Sequence, residues 1–267
     1  MRLQQYLLTE GRMKTIDRDE MEKLLNGKYS DAFDRFLDND DSYIFRGDQT
    51  EIYDFAIGHG KGTRKRKSRN TTNYSTLFFD NHPSWSKFPK RSESFICSTS
   101  IKTAKSYGFS GGVYHIFPEN GTTIGVCSGI DMFLSFRETI PLETVADVNN
   151  FIIATMVYAE EIFNISVNRS DDSYRIMKGS NDKITKAFYN ASSDEKSHFI
   201  SKLDGNYLVI MGDDFDGDII KRLNEIYNPK TNGFNIVKSG QKIPDKREVW
   251  MSGNCLFVSL ESMKEMI

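Results

Sequence analysis

Three short apolar runs, far apart in the chain, constrain the fold most. They are Tyr43-Ile44-Phe45, Phe95-Ile96-Cys97 and Val249-Trp250-Met251, and each abuts a polar group: Arg46, Ser98 and Glu248. Runs of this length suit strands and are too short for helices. Strands so widely separated must meet in a sheet through long connections, which forces a long-range, mixed architecture.

The intervening segments supply the helices. Asp17–Asn26 puts Met21, Leu24 and Leu25 on one face, and Ser30–Leu37 does the same with Ala32, Phe33, Phe36 and Leu37. Asp38 to Asp41 reads as a turn. Ile101–Tyr107 is a short helix stopped by Gly108, and Leu142–Phe163 is the longest periodic segment. Ser166–Ser201 is polar and mostly helical or irregular, and Phe215–Tyr227 is a helix ended by Asn228-Pro229. Further strands are expected at Tyr207–Met211, Phe234–Val237 and Leu256–Leu260. Val113–Phe117 and Thr122–Val126 look like a hairpin closed by Pro118-Glu119-Asn120-Gly121. The expected class is α+β, with short strands and peripheral helices.

At 267 residues the chain suits one domain, or one domain with a small appendage. No apolar run approaches the length that spans a bilayer, which argues against an integral membrane protein. A formal net charge of -2 provides no global attraction for nucleic acid. Cys97, Cys127 and Cys255 are widely spaced and odd in number, which points to reduced thiols. His59, His82, His115 and His198 form no ligand spacing, so no metal is expected. Residues 58–73 read as a loop in which Lys61, Arg64, Lys65, Arg66, Lys67 and Arg69 form a cationic patch, either simply solvated or able to follow a nucleic-acid backbone. The acidic run Asp213 to Asp218 lacks a calcium-loop ligand series and suits a helix N-terminus.

Read individually, the three polar groups have ordinary explanations. Arg46 can pair with a carboxylate as well as with a phosphate. The hydroxyls of Ser98-Thr99-Ser100 can cap the helix that follows. Glu248 can be a charge that protects a sheet edge. Taken in order, Arg46, Ser98-Thr99-Ser100 and Glu248 resemble the Arg-Ser-Glu signature of the ADP-ribosyltransferases, over residues 43 to 260.

The resemblance implies a split pair of small, mostly antiparallel sheets with NAD as substrate in the cleft between them, formed by residues 42–267 after an N-terminal helical segment at 11–41. It implies that Arg46 holds phosphate and that Ser98 orients the catalytic Glu248 and lines the nicotinamide pocket. Gly47, Thr99, Ser100, Tyr107, Asn73 and Arg91 become candidate NAD contacts, with Arg69 and Tyr74 beside them and Phe109 or Tyr114 as a stacking face. The acceptor-recognition loop would be Phe234–Lys246, with Phe234 and Ile243 as contacts. In family members that modify arginine, a Glu or Gln stands two residues before the catalytic glutamate. Lys246 stands there in this chain and cannot accept a hydrogen bond when protonated.

Met1 to Glu10 is an amphipathic decapeptide ending Leu8-Thr9-Glu10. It is similar to the capsid-targeting peptides of internal head proteins in T-even-like tailed phages, which the head protease cuts after Leu-x-Glu. That likeness implies cleavage at Glu10, residence in the phage head and then the host cytoplasm, and a host protein or nucleic acid as acceptor. The rival readings are a non-catalytic internal protein that inhibits a host enzyme, and an NAD glycohydrolase.

Overall fold

Asp17 starts the first helix as its sequence suggests: its carboxylate accepts from the Glu20 N–H at 2.8 Å, capping a terminal donor. The computed structural model describes residues 13–38, 43–48, 53–61, 72–108, 111–136, 140 and 145–266. Along the chain the elements are β1 (Lys14–Thr15), α1 (Arg18–Leu25), α2 (Ser30–Leu37), β2 (Phe45–Gly47), β3 (Phe55–His59), α3 (Tyr74–Asn81), β4 (Phe95–Ser98), α4 (Ile101–Gly108), β5 (Val113–Pro118), β6 (Thr123–Val126), α5 (Val145–Phe163), α6 (Tyr174–Asn190), α7 (Ser193–Met211), α8 (Ile219–Ile226), β7 (Asn235–Lys238), β8 (Glu248–Met251), β9 (Asn254–Ser259) and α9 (Leu260–Lys264). They divide into a sheet unit, drawn from Met1–Arg66, Lys87–Ser135 and Gly233–Ile267, and a helical unit, drawn from Lys67–Ser86 and Phe136–Asn232. The α+β class is therefore seen, and α1 and α2 belong to the sheet unit.

Among the described residues the strands form one antiparallel sheet in the order β1-β3-β9-β5-β2-β4-β8-β6-β7. This corrects the expected split pair of sheets. The physical reason lies in β2, which pairs on both sides. It meets β5 along all three residues (Phe45↔His115, Arg46↔Tyr114, Gly47↔Val113) but β4 only through Phe45↔Ser98. Two half-sheets are thus stitched at a single residue pair. At this seam Gly47 lies against α4, where an added Cβ would sit 2.2 Å from the Ala104 carbonyl oxygen.

The expected β5–β6 hairpin is not formed. β5 pairs with β2 and β9, while β6 pairs with β7 and β8. The intervening turn crosses between half-sheets and is tied elsewhere: Asn120 N–H donates to the Lys28 carbonyl at 2.8 Å, and its side chain accepts from Asp31 N–H at 3.0 Å.

Side chains alternate between the two faces of the sheet. One face carries Ile44, Ala56, Phe95, Cys97, Tyr114, Ile116, Ile124, Val126, Val249, Met251, Cys255 and Phe257, a continuous buried cluster across both halves. On the other face, the half containing β9 and β5 is covered by α1, α2 and α9 through Met21, Leu25, Ala32, Phe36 and Met263 on Phe117, Leu256 and Val258. All three cysteines are buried as thiols.

In the helical unit, α5 buries Val148, Ile152, Met156 and Ala159 at helical spacing. Residues Tyr207–Met211, expected as a strand, are the last turns of α7. A capping box of Ser192 and Glu195 starts that helix, and Phe199, Leu203, Ile210 and Met211 bury one stripe, so nucleation and burial override the strand preference of Val209-Ile210. Asp218 of the acidic run caps α8 by accepting from Lys221 N–H at 2.9 Å. No described helix is long and apolar enough to cross a membrane.

Candidate functional site

Two of the three signature residues meet. Ser98 at the end of β4 lies directly opposite Glu248 at the start of β8. Directly opposed residues of an antiparallel pair project from the same face. That face also carries Trp250, whose ring lies over Gly125 of β6, and Phe45 at the seam.

Arg46 is delivered to the other face. Its neighbour Phe45 registers with Ser98, so alternation turns Arg46 to the opposite face. There its guanidinium stands 5.5 Å from the Phe95 ring and donates to the Ile96 carbonyl at 2.5 Å. It does not join Ser98 and Glu248.

Arg91 joins them instead. It lies in a single 3-10 turn, Arg91–Glu93, just before β4. Its Nη2 is 2.7 Å from Glu248 Oε1, and both side chains are largely buried, at 14% and 8% exposure. The guanidinium also sits 5.7 Å from the centre of the Trp250 ring. Trp250 in turn donates its indole N–H to the Pro89 carbonyl at 2.9 Å and stacks on Phe88, so the segment bearing Arg91 is fastened to β8.

The second carboxylate oxygen of Glu248 accepts from Met132 N–H at 3.4 Å, and the Cys127 thiol lies 3.9 Å from Oε1. The turn that offers Met132 is built by Asp131, whose carboxylate accepts from Phe133 N–H at 2.8 Å. Burial raises the Glu248 carboxyl above its ordinary range; Arg91 pulls it back, and Asp131 adds to the rise. Burial opposes the Arg91 cation, but Glu248 and Cys127 outweigh it and hold the guanidinium protonated. Burial, then Glu248, pushes the Cys127 thiol well up, which leaves it a poor nucleophile. Tyr107 on α4 is half exposed; burial of its hydroxyl, then Asp131 and Glu248, raises it.

The serines and threonine work on the loop before Glu248. Thr99 Oγ1 donates to the Pro244 carbonyl and accepts from Arg247 N–H, each at 2.9 Å. Ser98 Oγ donates to the Arg247 carbonyl at 3.3 Å and accepts from Ser100 N–H at 3.0 Å. Ser100 Oγ accepts from Thr103 N–H, capping α4. The Ser-Thr-Ser run thus positions the strand that delivers Glu248 and starts a helix, while Ser98 makes its own bonds to backbone.

The remaining candidates separate. Gly47 is required by close packing on α4. Asn73 lies in the helical unit, where its N–H donates to Asp171 at 2.6 Å, and Tyr74 there is buried and donates to the Arg169 carbonyl. Ile243 is 1% exposed in the sheet core and Phe234 packs edge-on to Trp250, so neither is the surface contact expected of an acceptor loop. Tyr114 is buried and stacks on Tyr53, which removes it as a nicotinamide platform. Lys246 is exposed in a left-handed conformation at φ 54°. Lys61 approaches Glu93 at 3.9 Å. The rest of the cationic patch (Arg64, Lys65, Arg66, Lys67 and Arg69), Phe109, and the peptide ending at Glu10 lie outside the described residues.

Sequence reasoning missed Cys127, Asp131 and Met132. The Asp131-Met132-Phe133 turn has a capping pattern, but nothing local marks it as facing Glu248. Among the described residues no group of three or more His, Cys, Asp or Glu side chains is arranged to hold a metal. No family model, curated protein or solved structure matches this chain.

Proposed function

We propose that this chain is a mono-ADP-ribosyltransferase that cleaves NAD at its nicotinamide bond and transfers ADP-ribose to a host protein or nucleic acid. The observation that carries the reading is the pairing of Ser98 with Glu248 on one face, with Ser98 itself in the pair that joins the half-sheets. Glu248 sits where a single carboxylate can stabilise an oxocarbenium-like centre in a largely desolvated setting. The glycosidic C–N bond breaks and its electron pair leaves with neutral nicotinamide. The acceptor nucleophile then attacks the anomeric carbon and loses its proton. Arg46 lies on the opposite face of the sheet from Glu248. Residues 1–10 act as a head-targeting peptide cut at Glu10, so that the enzyme is packaged in a phage head and enters the host with the DNA.

The test uses labelled NAD with bacterial lysate, comparing the protein with its Glu248→Gln variant. Glutamine keeps an oxygen to accept from Arg91 while removing the charge. Label transferred to a macromolecule by the wild type, and at least about a hundredfold less by Glu248→Gln, is the expected result. Nicotinamide release without transfer would favour the glycohydrolase. Neither signal would overturn the enzymatic reading and favour a protein that acts by binding a host enzyme.

A further inference from the structure

The sequence resemblance assigns to Ser98 the task of orienting Glu248. In the structure the Ser98 hydroxyl donates to the Arg247 carbonyl, and the side chain bound to the carboxylate is Arg91. We propose that Arg91 is the positioning residue for Glu248: pinned against Trp250, its guanidinium fixes the orientation of the carboxylate for catalysis. The proposal rests on the transferase reading above and names a device within that same site.

Three observations support it. First, the contact is short and shielded from water, at 2.7 Å between two largely buried groups. A charge-assisted hydrogen bond in such surroundings restricts the carboxylate far more than an exposed pair would. Second, the guanidinium is itself held. The Trp250 face lies beneath it, and Trp250 bonds back to Pro89, two residues from Arg91. Third, the Nη1 of Arg91 is buried without a hydrogen-bond partner. A buried donor left unsatisfied is costly, and buried ion pairs are poor sources of stability. An arginine kept under those terms serves the carboxylate better than it serves the fold.

Among the described residues, the charged and titratable groups facing Glu248 are Arg91 from the segment before β4, Cys127 after β6, Asp131 from the following turn, and Tyr107 from α4. Arg91 is the cation among them. Without it, burial and Asp131 would both favour the protonated acid, which cannot stabilise a developing positive charge.

The experiment compares wild type, Arg91→Lys and Arg91→Met in full-length protein. It measures kcat and KM for NAD against pH, and follows the ¹³C-carboxyl resonance of Glu248, assigned through Glu248→Gln. Arg91→Met fills the space without charge. It is expected to lower kcat at neutral pH by about tenfold or more with KM nearly unchanged, to move the acidic limb of the kcat profile to higher pH, and to regain rate as the pH rises. Arg91→Lys is expected to keep the limb near its wild-type position while losing part of kcat, because it restores charge without the planar fork. An Arg91→Met limb and Glu248 titration that match wild type would overturn the proposal, as would a loss carried entirely by KM. A wild type with no NAD turnover would overturn the transferase reading and the catalytic role of Arg91 with it, and the Glu248 titration would then show whether Arg91 still sets the ionisation of the carboxylate.

Discussion

The half-sheet β1-β3-β9-β5-β2 and the half-sheet β4-β8-β6-β7 present the same face of one sheet and use it in opposite ways. In the first half, α1, α2 and α9 close that face with apolar side chains, and even the titratable His115 ring is held among Phe36, Tyr43 and Phe45. In the second half, the face carries Glu248 and Arg91 paired over Trp250. The difference teaches that one pleated surface can be apolar core in one stretch and carry a largely buried ion pair in the next when short strands are recruited from distant parts of the chain. The boundary between the two uses is the Phe45↔Ser98 pair.

The two arginines show the same contrast. Arg46, on the face whose core runs across both halves, stands over Phe95 and donates to the Ile96 carbonyl. Arg91, on the Glu248 face of the second half, meets a carboxylate. What separates them is which side of the sheet each is delivered to.

The seam should be the most sensitive point of this division. A methyl at residue 47 would meet the Ala104 carbonyl oxygen at 2.2 Å and the Gly108 nitrogen at 2.4 Å, both backbone atoms that cannot rotate away. Gly47→Ala is expected to destabilise the protein by about 3 kcal/mol in urea unfolding. A change within about 0.5 kcal/mol would mean the halves can shift past each other.

The apolar closure of the first half sets the next effect. Burial lowers the His115 imidazole from 6.5 to about 4. The unfolded chain therefore binds this proton at a higher pH than the folded one, so stability is full above about pH 6.5 and declines as the pH falls towards 4. For a half-buried ring the loss should be about 2 kcal/mol, read from urea midpoints across that window. His115→Phe should flatten this part of the profile. An unchanged slope would show that the helices do not exclude water from the face.

The smallest effect is expected at the clasp before Glu248. Thr99→Val keeps the shape but leaves the Pro244 carbonyl and the Arg247 N–H without the hydroxyl. The expected cost is about 1 kcal/mol. NAD turnover should fall more than this small loss of stability explains, because Glu248 follows Arg247 directly. Turnover equal to wild type would mean that Arg91 and Met132 suffice to hold the carboxylate.

Much of the local structure was legible. Apolar stripes at helical spacing marked α1, α2, α4 and α5, and the polar-capped runs marked β2, β4 and β8. The strands carrying Ser98 and Glu248 were legible, and the structure sets the two residues opposite each other. Other features were invisible for identifiable reasons. β1 has two residues and exists only through its partner β3, so no periodicity can reveal it. The 118–121 turn has hairpin residues, yet its hydrogen bonds go to Lys28 and Asp31, far away in sequence. Arg46 follows its strand as a ligand-binding arginine would, but a register set by β4 and β5 decides its face.

The sequence by itself determined the α+β class, most helices, and the three strands that carry Arg46, Ser98 and Glu248, because apolar periodicity and capping are local properties. Only the tertiary structure decided that the half-sheets join at one residue pair, that Arg46 turns away, and that Arg91, Cys127 and Met132 surround Glu248. Those outcomes depend on strand register and on contacts between residues about 50 to 160 positions apart, where side-chain alternation turns a shift of one residue into a change of face.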